Sequence, residues 1–234
     1  MTNMMDGHLH VKKELIPYLE EVSCIANADT KEEYLFLKGQ RLPGMVISAG
    51  IHPWKADVTT WESMETILKE AKVIGEIGLD NVWCLVNMGI QRKVFHRQLQ
   101  FAMEHQKPVV LHTKGMEKEI LDTIREYPNR YLVHWYSCEE WQEEYIKLGC
   151  WFTIGPDLMI NNAVKQLCAK VALDKILIES DGLEGICWGQ GAELAVNQYM
   201  DAMELHLENV AAEKGVEKQI LLEQMHQNLK EFLG

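Results

Sequence analysis

Lys107-Pro108-Val109-Val110-Leu111-His112 is the stretch on which the fold reading turns. Its apolar run is continuous, with no polar face, as expected of a strand buried on both sides in a parallel sheet. It ends on a histidine. On either side the chain has helical patterning: a long helix over 89–105, with Val94, Leu99, Phe101 and Ala102 among its apolar positions, and another over 118–126. The same alternation runs outward in both directions. Strands are predicted at 1–6, 21–26, 45–49, 73–76, 107–111, 130–133, 149–154 and 175–179. Helices are predicted at 13–20, 29–38, 59–72, 137–148 and 162–172, with two more in the tail, 192–233, broken near Gly215. Asp29 with Glu32, Thr59 with Glu62 and Ser137 with Glu140 have the form of capping boxes. Eight strand-then-helix units of about 29 residues match a (β/α)8 barrel, read here as a single domain over 1–234. An open doubly wound sheet would carry a glycine-rich phosphate turn, and neither GxGxxG nor GxxxxGK[ST] occurs.

In such a barrel the functional groups sit at the C-terminal ends of strands. His8 and His10 end the first predicted strand, and His52 follows the third. Glu76 ends the fourth, His112 the fifth and His134 the sixth, and Asp181 follows the eighth. Residues i and i+2 of a strand share a face about 7 Å apart, so His8 and His10 can reach one ion. The remaining histidines, 96, 105, 206 and 226, fall on predicted helices and read as surface or packing residues. His8, His10, His112 and His134 with Glu76 and Asp181 suit one or two borderline divalent ions. Six protein ligands are too many for one open catalytic ion, whereas a bridging carboxylate flanked by histidines suits a two-metal centre.

The bulk composition narrows the partners. There are 23 Lys and Arg against 35 Asp and Glu, a formal charge of −12. That argues against a broad basic footprint for duplex nucleic acid. A bound cation could still draw in an anionic substrate. The six cysteines show no C-x-x-C spacing and read as reduced thiols of a cytoplasmic protein. No signal peptide pattern fits, and no apolar run reaches the roughly 18 residues a membrane span needs.

Taken in order, these motifs resemble the TatD family of metal-dependent hydrolases, within the amidohydrolase-like barrels. The resemblance rests on Asp6-Gly-His-Leu-His10, Gly50-Ile-His-Pro53, Gly75-Glu-Ile-Gly-Leu-Asp80, and Gln91 with Phe95, Gln98, Leu99 and Ala102. It continues through Lys107-Pro-Val-Val-Leu-His112, His134 with Ser137, Glu179-Ser-Asp181 and Asn228. It implies a distorted TIM barrel and phosphodiesterase or DNase chemistry. By position, it implies that His8, His10 and Asp181 hold one ion (Mg²⁺, Mn²⁺ or Zn²⁺), that Glu76 is shared, and that His112 and His134 complete a second. Asp181 would orient or deprotonate the attacking water, and His52 would contact the scissile phosphate.

The chain departs from the family pattern at the cleft. Asn81-Val-Trp-Cys follows the Gly-Leu-Asp, His112-Thr-Lys114 stands for His-Ser-Arg, and 182–191 replaces a proline-rich loop. Lys114 keeps the charge without the bidentate fork of arginine. Trp54, Trp83, Trp135 and Trp188 fall in predicted rim loops, where they can pack loops together or stack bases. Trp54 and Trp188 are the stronger substrate-binding candidates, beside Lys114 and His52. Asp6 and Asp80 read either as partners orienting imidazoles or as turn residues. The expected substrate is a nucleic-acid end or a small phosphodiester. A metal-dependent amide or ester hydrolase, such as one removing an acyl group from tRNA, could use the same centre. A non-catalytic subunit of a complex is the third class, for which a complete ligand set has no purpose.

Overall fold

The computed structural model describes residues 3–234, so the part of the first predicted strand at Met1 and Thr2 lies outside the described residues. The strands are β1 (Met4–His10), β2 (Val22–Ala28), β3 (Met45–Ala49), β4 (Val73–Asp80), β5 (Val109–Lys114), β6 (Tyr131–Val133), β7 (Trp151–Ile154) and β8 (Ile176–Ile178). Each pairs in parallel with the next in one eight-stranded sheet. The intervening helices are α1 (Lys31–Gln40), α2 (Trp61–Glu70), α3 (Met88–Glu104), α4 (Glu117–Ile124), α5 (Gln142–Lys147) and α6 (Asn162–Lys170). After β8 come α7 (Gly182–Gln190), α8 (Tyr199–Lys214) and α9 (Lys218–Leu233). The result is a nearly closed (β/α)8 barrel. Parallel strands buried on both faces account for the run at Val109–Leu111, each residue of which is fully buried.

β1 and β8 meet through specific bonds rather than a paired ladder. The Asp181 amide donates to the His8 carbonyl (3.1 Å), and the Ser180 amide donates to Asp6 Oδ1 (3.0 Å). Gly7 lets the strands approach this closely, since a Cβ there would stand 2.7 Å from the Thr153 side chain and 3.0 Å from the Ile178 carbonyl. At the other end of β8, Asn228 of α9 donates to the carbonyls of Leu173 and Ile176.

Several local expectations are corrected. β4 continues to Asp80, which puts Glu76 inside the strand, where the pairing register with β5 shifts between Ile74 and Ile77. The shift turns Glu76 into the barrel axis rather than leaving it at the strand tip. Thr30, not Asp29, caps α1, in a reciprocal box with Glu33, and Thr60 rather than Thr59 caps α2. The box at Ser137 does not form, because α5 begins only at Gln142 after a left-handed Trp141. The segment 13–20 makes a 3-10 turn over Lys13–Tyr18, as Pro17 has no amide hydrogen to continue a helix. The segment 182–191 is a helix rather than a loop, so Trp188 rides on α7.

His206 of α8 is buried, and its Nε2 donates to the Ile154 carbonyl (2.8 Å). Burial lowers its pKa to about 4, an effect only partly offset by that backbone bond. The unfolded chain therefore takes up this proton first as the pH falls. Stability should drop between about pH 6.5 and pH 4, by up to on the order of 3 kcal/mol. His206→Gln keeps a donor without the titration. Urea unfolding of the variant at pH 7 and pH 4.5 should show a flatter acid limb than the parent.

Candidate metal centre

Glu76 is the focus of the barrel mouth. The carboxylate is buried, and its two oxygens face different imidazoles. Oε2 lies 3.1 Å from Nε2 of His8 and 3.1 Å from Nε2 of His10. Oε1 lies 3.3 Å from Nε2 of His52, 2.6 Å from Nδ1 of His112 and 3.0 Å from Nε2 of His134. Asp181 stands on the His8 side, with Oδ1 3.5 Å from His8 Nε2 and 3.8 Å from His10 Nε2. All six residues expected to hold metal thus converge, together with His52. Three overlapping sets have ligand atoms within 4.8 Å of one another: His8, His10 and Glu76; His8, His134 and Asp181; His52, Glu76 and His112.

The donor chemistry fits a divalent cation. Both nitrogens of His8 and Oδ1 of Asp181 are buried without a hydrogen-bond partner. His8 Nε2 is close to Glu76 Oε2, yet the two are not aligned as donor and acceptor. Their lone pairs converge on shared space, which for buried polar atoms is costly unless a cation takes them up.

Two further carboxylates stand behind the imidazoles. Asp80 Oδ2 lies 3.2 Å from His112 Nε2, and Glu179 Oε1 lies 3.2 Å from His134 Nδ1. A carboxylate on the far nitrogen fixes the ring and raises its basicity. Glu179 is missed when the sequence is read. Its signal was the Glu179-x-Asp181 spacing, which mirrors His8-x-His10. Asp80 also accepts from the Trp54 indole (2.6 Å) and from the amides of Val82 and Trp83, so one carboxylate anchors both loops. Asp6 lies behind the last ligand and accepts from Ser180 Oγ (2.5 Å) and Tyr199 (2.6 Å).

His52 differs from the other imidazoles. Its Nδ1 accepts from the Trp54 amide (3.2 Å), so the neutral ring carries its proton on Nε2. Burial, the largest influence, lowers its pKa despite the Glu76 charge, which favours that neutral form. A ring protonated on Nε2 offers a donor there and not a metal-binding lone pair.

The motif on α3 explains how these loops are held. Gln91, Phe95, Gln98, Leu99 and Ala102 lie on one buried face. Gln98 brackets Ile51, accepting from its amide (2.7 Å) and donating to its carbonyl (3.0 Å), next to His52. Gln91 brackets Asp80 in the same way (2.9 and 3.0 Å).

The cleft above the centre has a volume of about 610 Å³ and includes Trp54, Trp83, Trp135, Trp188 and Lys114 in its lining. Lys114 donates to Ser137 Oγ (2.8 Å), which gives Ser137 a role in place of the expected cap.

A parallel barrel with a carboxylate and imidazoles gathered at the C-terminal mouth is the arrangement of a metal-dependent hydrolase. Residues 19–234 match the family described as TatD related DNase, and the chain belongs to that family. The metal-dependent hydrolase YabD of Bacillus subtilis is 25% identical over 203 residues, which cover 76% of this chain and 79% of YabD. The 3'-5' ssDNA/RNA exonuclease TatD of Citrobacter rodentium is 28% identical over 156 residues, 61% of this chain and 59% of the relative. In fold, the chain is similar to the crystal structure of YJJV, a TatD homologue from Escherichia coli. The TM-score is 0.81 at 18% identity, over 97% of this chain and 96% of the other.

The basicity of the imidazoles leads to a pH prediction. Burial depresses His134, but the charges of Glu76 and Glu179 outweigh it and hold the ring well above 6.5. Burial likewise depresses His112, and its bonds to Asp80 and Glu76 raise it overall. A metal must displace those protons at neutral pH. Apparent affinity for Mn²⁺ or Zn²⁺ should tighten about tenfold per pH unit for each proton released, between pH 6 and 8. Calorimetry in buffers of different ionisation enthalpy counts the protons. A count of zero would contradict the arrangement described.

Proposed function

We propose that the chain is one TatD-type barrel throughout and a phosphodiesterase that acts on nucleic-acid ends or small nucleotides at a two-metal centre. The observation that carries this reading is the division of the Glu76 oxygens between two groups of imidazoles, the disposition a bridging carboxylate requires. His8, His10 and Asp181 would hold one ion and His112 and His134 the other, with Glu76 shared. Such ions (Mg²⁺, Mn²⁺ or Zn²⁺) supply charge stabilisation at phosphorus and lower the pKa of water.

The chain's own groups do the rest. Asp181 lines the cleft beside the imidazoles, so its carboxylate can orient the attacking water or accept its proton. His52 presents Nε2–H at the same place and can donate to a non-bridging phosphate oxygen, where negative charge builds. The nuclease named among the relatives supports nucleic acid as substrate. Among the described residues no helix is long and apolar enough to cross a membrane, and the six free thiols suit a reducing compartment such as the cytoplasm.

The test uses metal-stripped protein reloaded with Mg²⁺, Mn²⁺ or Zn²⁺. It should cleave single-stranded DNA and bis-p-nitrophenyl phosphate. Glu76→Ala and Asp181→Ala should each lower kcat by about 10³-fold or more while circular dichroism stays unchanged. Activity surviving in both variants would rule out the two-metal reading. Ester or amide hydrolysis without any phosphodiester cleavage would reassign the substrate.

A further inference from the structure

Three indoles form a continuous run along one wall of the cleft. Trp188 meets Trp83 edge to face, with ring centroids 6.0 Å apart and planes at 78°, and meets Trp135 at 5.4 Å and 67°. Trp135 is pinned, its indole nitrogen donating to Asp157 (2.7 Å). Trp83 and Trp188 are 53% and 61% exposed, a large apolar area left to solvent beside a polar centre. Contiguous exposed apolar surface at a cleft marks a binding site. Both indoles come from connections between strands and helices, Trp83 between β4 and α3 and Trp188 on α7 after β8.

The cations of the cleft are few. Among the described residues lining it there are two lysines and no arginine. Lys55 is committed to Asp29 (3.5 Å) and Glu33 (3.6 Å). Lys114 bonds only a hydroxyl, that of Ser137, and its Nζ lies 4.6 Å from the centre of the Trp83 ring. One ammonium therefore stands beside the aromatic wall with no carboxylate on it. A long single strand is held by a track of such cations along its backbone. Here the rest of the lining is indoles, imidazoles, carboxylates and the small residues Thr113, Ser137 and Gly185, on a chain of net charge −12.

We infer that Trp83 and Trp188 form a base-stacking subsite, with Lys114 taking one phosphate, which limits the preferred substrate to a dinucleotide-sized phosphodiester. This rests on the phosphodiesterase reading above and narrows it. The aromatic faces accept any nucleobase, because every base has a π-face. One phosphate reaches Lys114 while the scissile one lies at the Glu76 centre. The cavity of about 610 Å³ falls within the range of sites that take a ligand of this size.

The experiment compares the 5'-phosphorylated thymidine dinucleotide pdTpdT, which carries one terminal and one scissile phosphate, the dodecamer (dT)12 and methyl p-nitrophenyl phosphate with the full chain loaded with Mn²⁺. Binding is read by tryptophan fluorescence and turnover by product release. Base stacking should quench the fluorescence. Trp83→Leu and Trp188→Leu should each weaken pdTpdT binding about tenfold, whereas Trp83→Phe and Trp188→Phe, which keep a stacking face, should recover most of it. The kcat/KM for pdTpdT relative to methyl p-nitrophenyl phosphate should fall by a similar factor in the leucine variants. The two oligonucleotides should bind with similar affinity, each with a slope of log K against log salt near −0.7, the value for one phosphate contact on a single strand.

Binding of (dT)12 a hundredfold tighter than pdTpdT, with a slope steeper than about −2, would overturn the length limit. Cleavage of pdTpdT with unchanged affinity in the leucine variants would overturn the stacking subsite and leave the phosphodiesterase reading standing. Quenching by pdTpdT that the leucine variants lose, without cleavage of any phosphodiester, would support the subsite and reject the reaction. Neither binding nor cleavage would overturn both.

Discussion

The barrel mouth is organised by one buried carboxylate. Glu76 is buried, and it remains ionised because imidazoles surround it. Burial alone would raise its pKa, but the surrounding imidazoles, His134 foremost, and the hydrogen bond from His10 hold it well below the usual carboxylate range. An isolated charge in that position would cost several kcal/mol. The surrounding rings must therefore be present and correctly aimed, and much of the rest of the mouth aims them. Asp80 and Glu179 stand behind His112 and His134, and the clamp of Gln98 on Ile51 holds the turn that carries His52.

That constraint reaches well beyond the ligands. Asp80 ties the His112 ring to both the Trp54 turn and the Trp83 loop, so the aromatic side of the cleft and the polar centre share one anchor. On the opposite side, Asp6 gathers Ser180 and Tyr199 behind Asp181, whose backbone is left-handed at φ 55°. Asp6 is itself raised to about 6. Burial drives this rise, against the bonds from Ser180 and Tyr199. A non-glycine residue with positive φ persists where its surroundings over-determine it, and such positions gather at functional sites. The contacts around Asp181 supply that over-determination: its amide is held by the His8 carbonyl and Ser180 by Asp6.

The cleft joins a polar floor to aromatic walls. The floor is made from strand residues, held by the sheet and hard to move. The walls come from the β4–α3 connection and from α7, which the barrel tolerates in many lengths and shapes. The geometry of the floor bears on the class of reaction, and the walls bear on which substrates reach it.

Much of this was legible in the chain itself. The eight strands, their parallel order and all seven convergent groups followed from apolar runs, six of which end near a histidine or carboxylate. In a parallel barrel every strand exit lies on the same rim, so linear order already implies proximity. The sequence also marked Gln91 and Gln98, although it could not say that they clamp Asp80 and Ile51. Tertiary structure alone decided the rest. Glu76 reaches the axis through a register shift inside β4, which depends on the pairing with β5 and has no local code. Glu179 faces His134 only because β8 closes beside β7, one strand away from β6. The 182–191 segment becomes a helix because its Gly182 can adopt φ 81° close to the His10 carbonyl, an option set by where β1 ends. Local chemistry determined which residues could meet at the mouth, and long-range packing decided which atoms they present to one another.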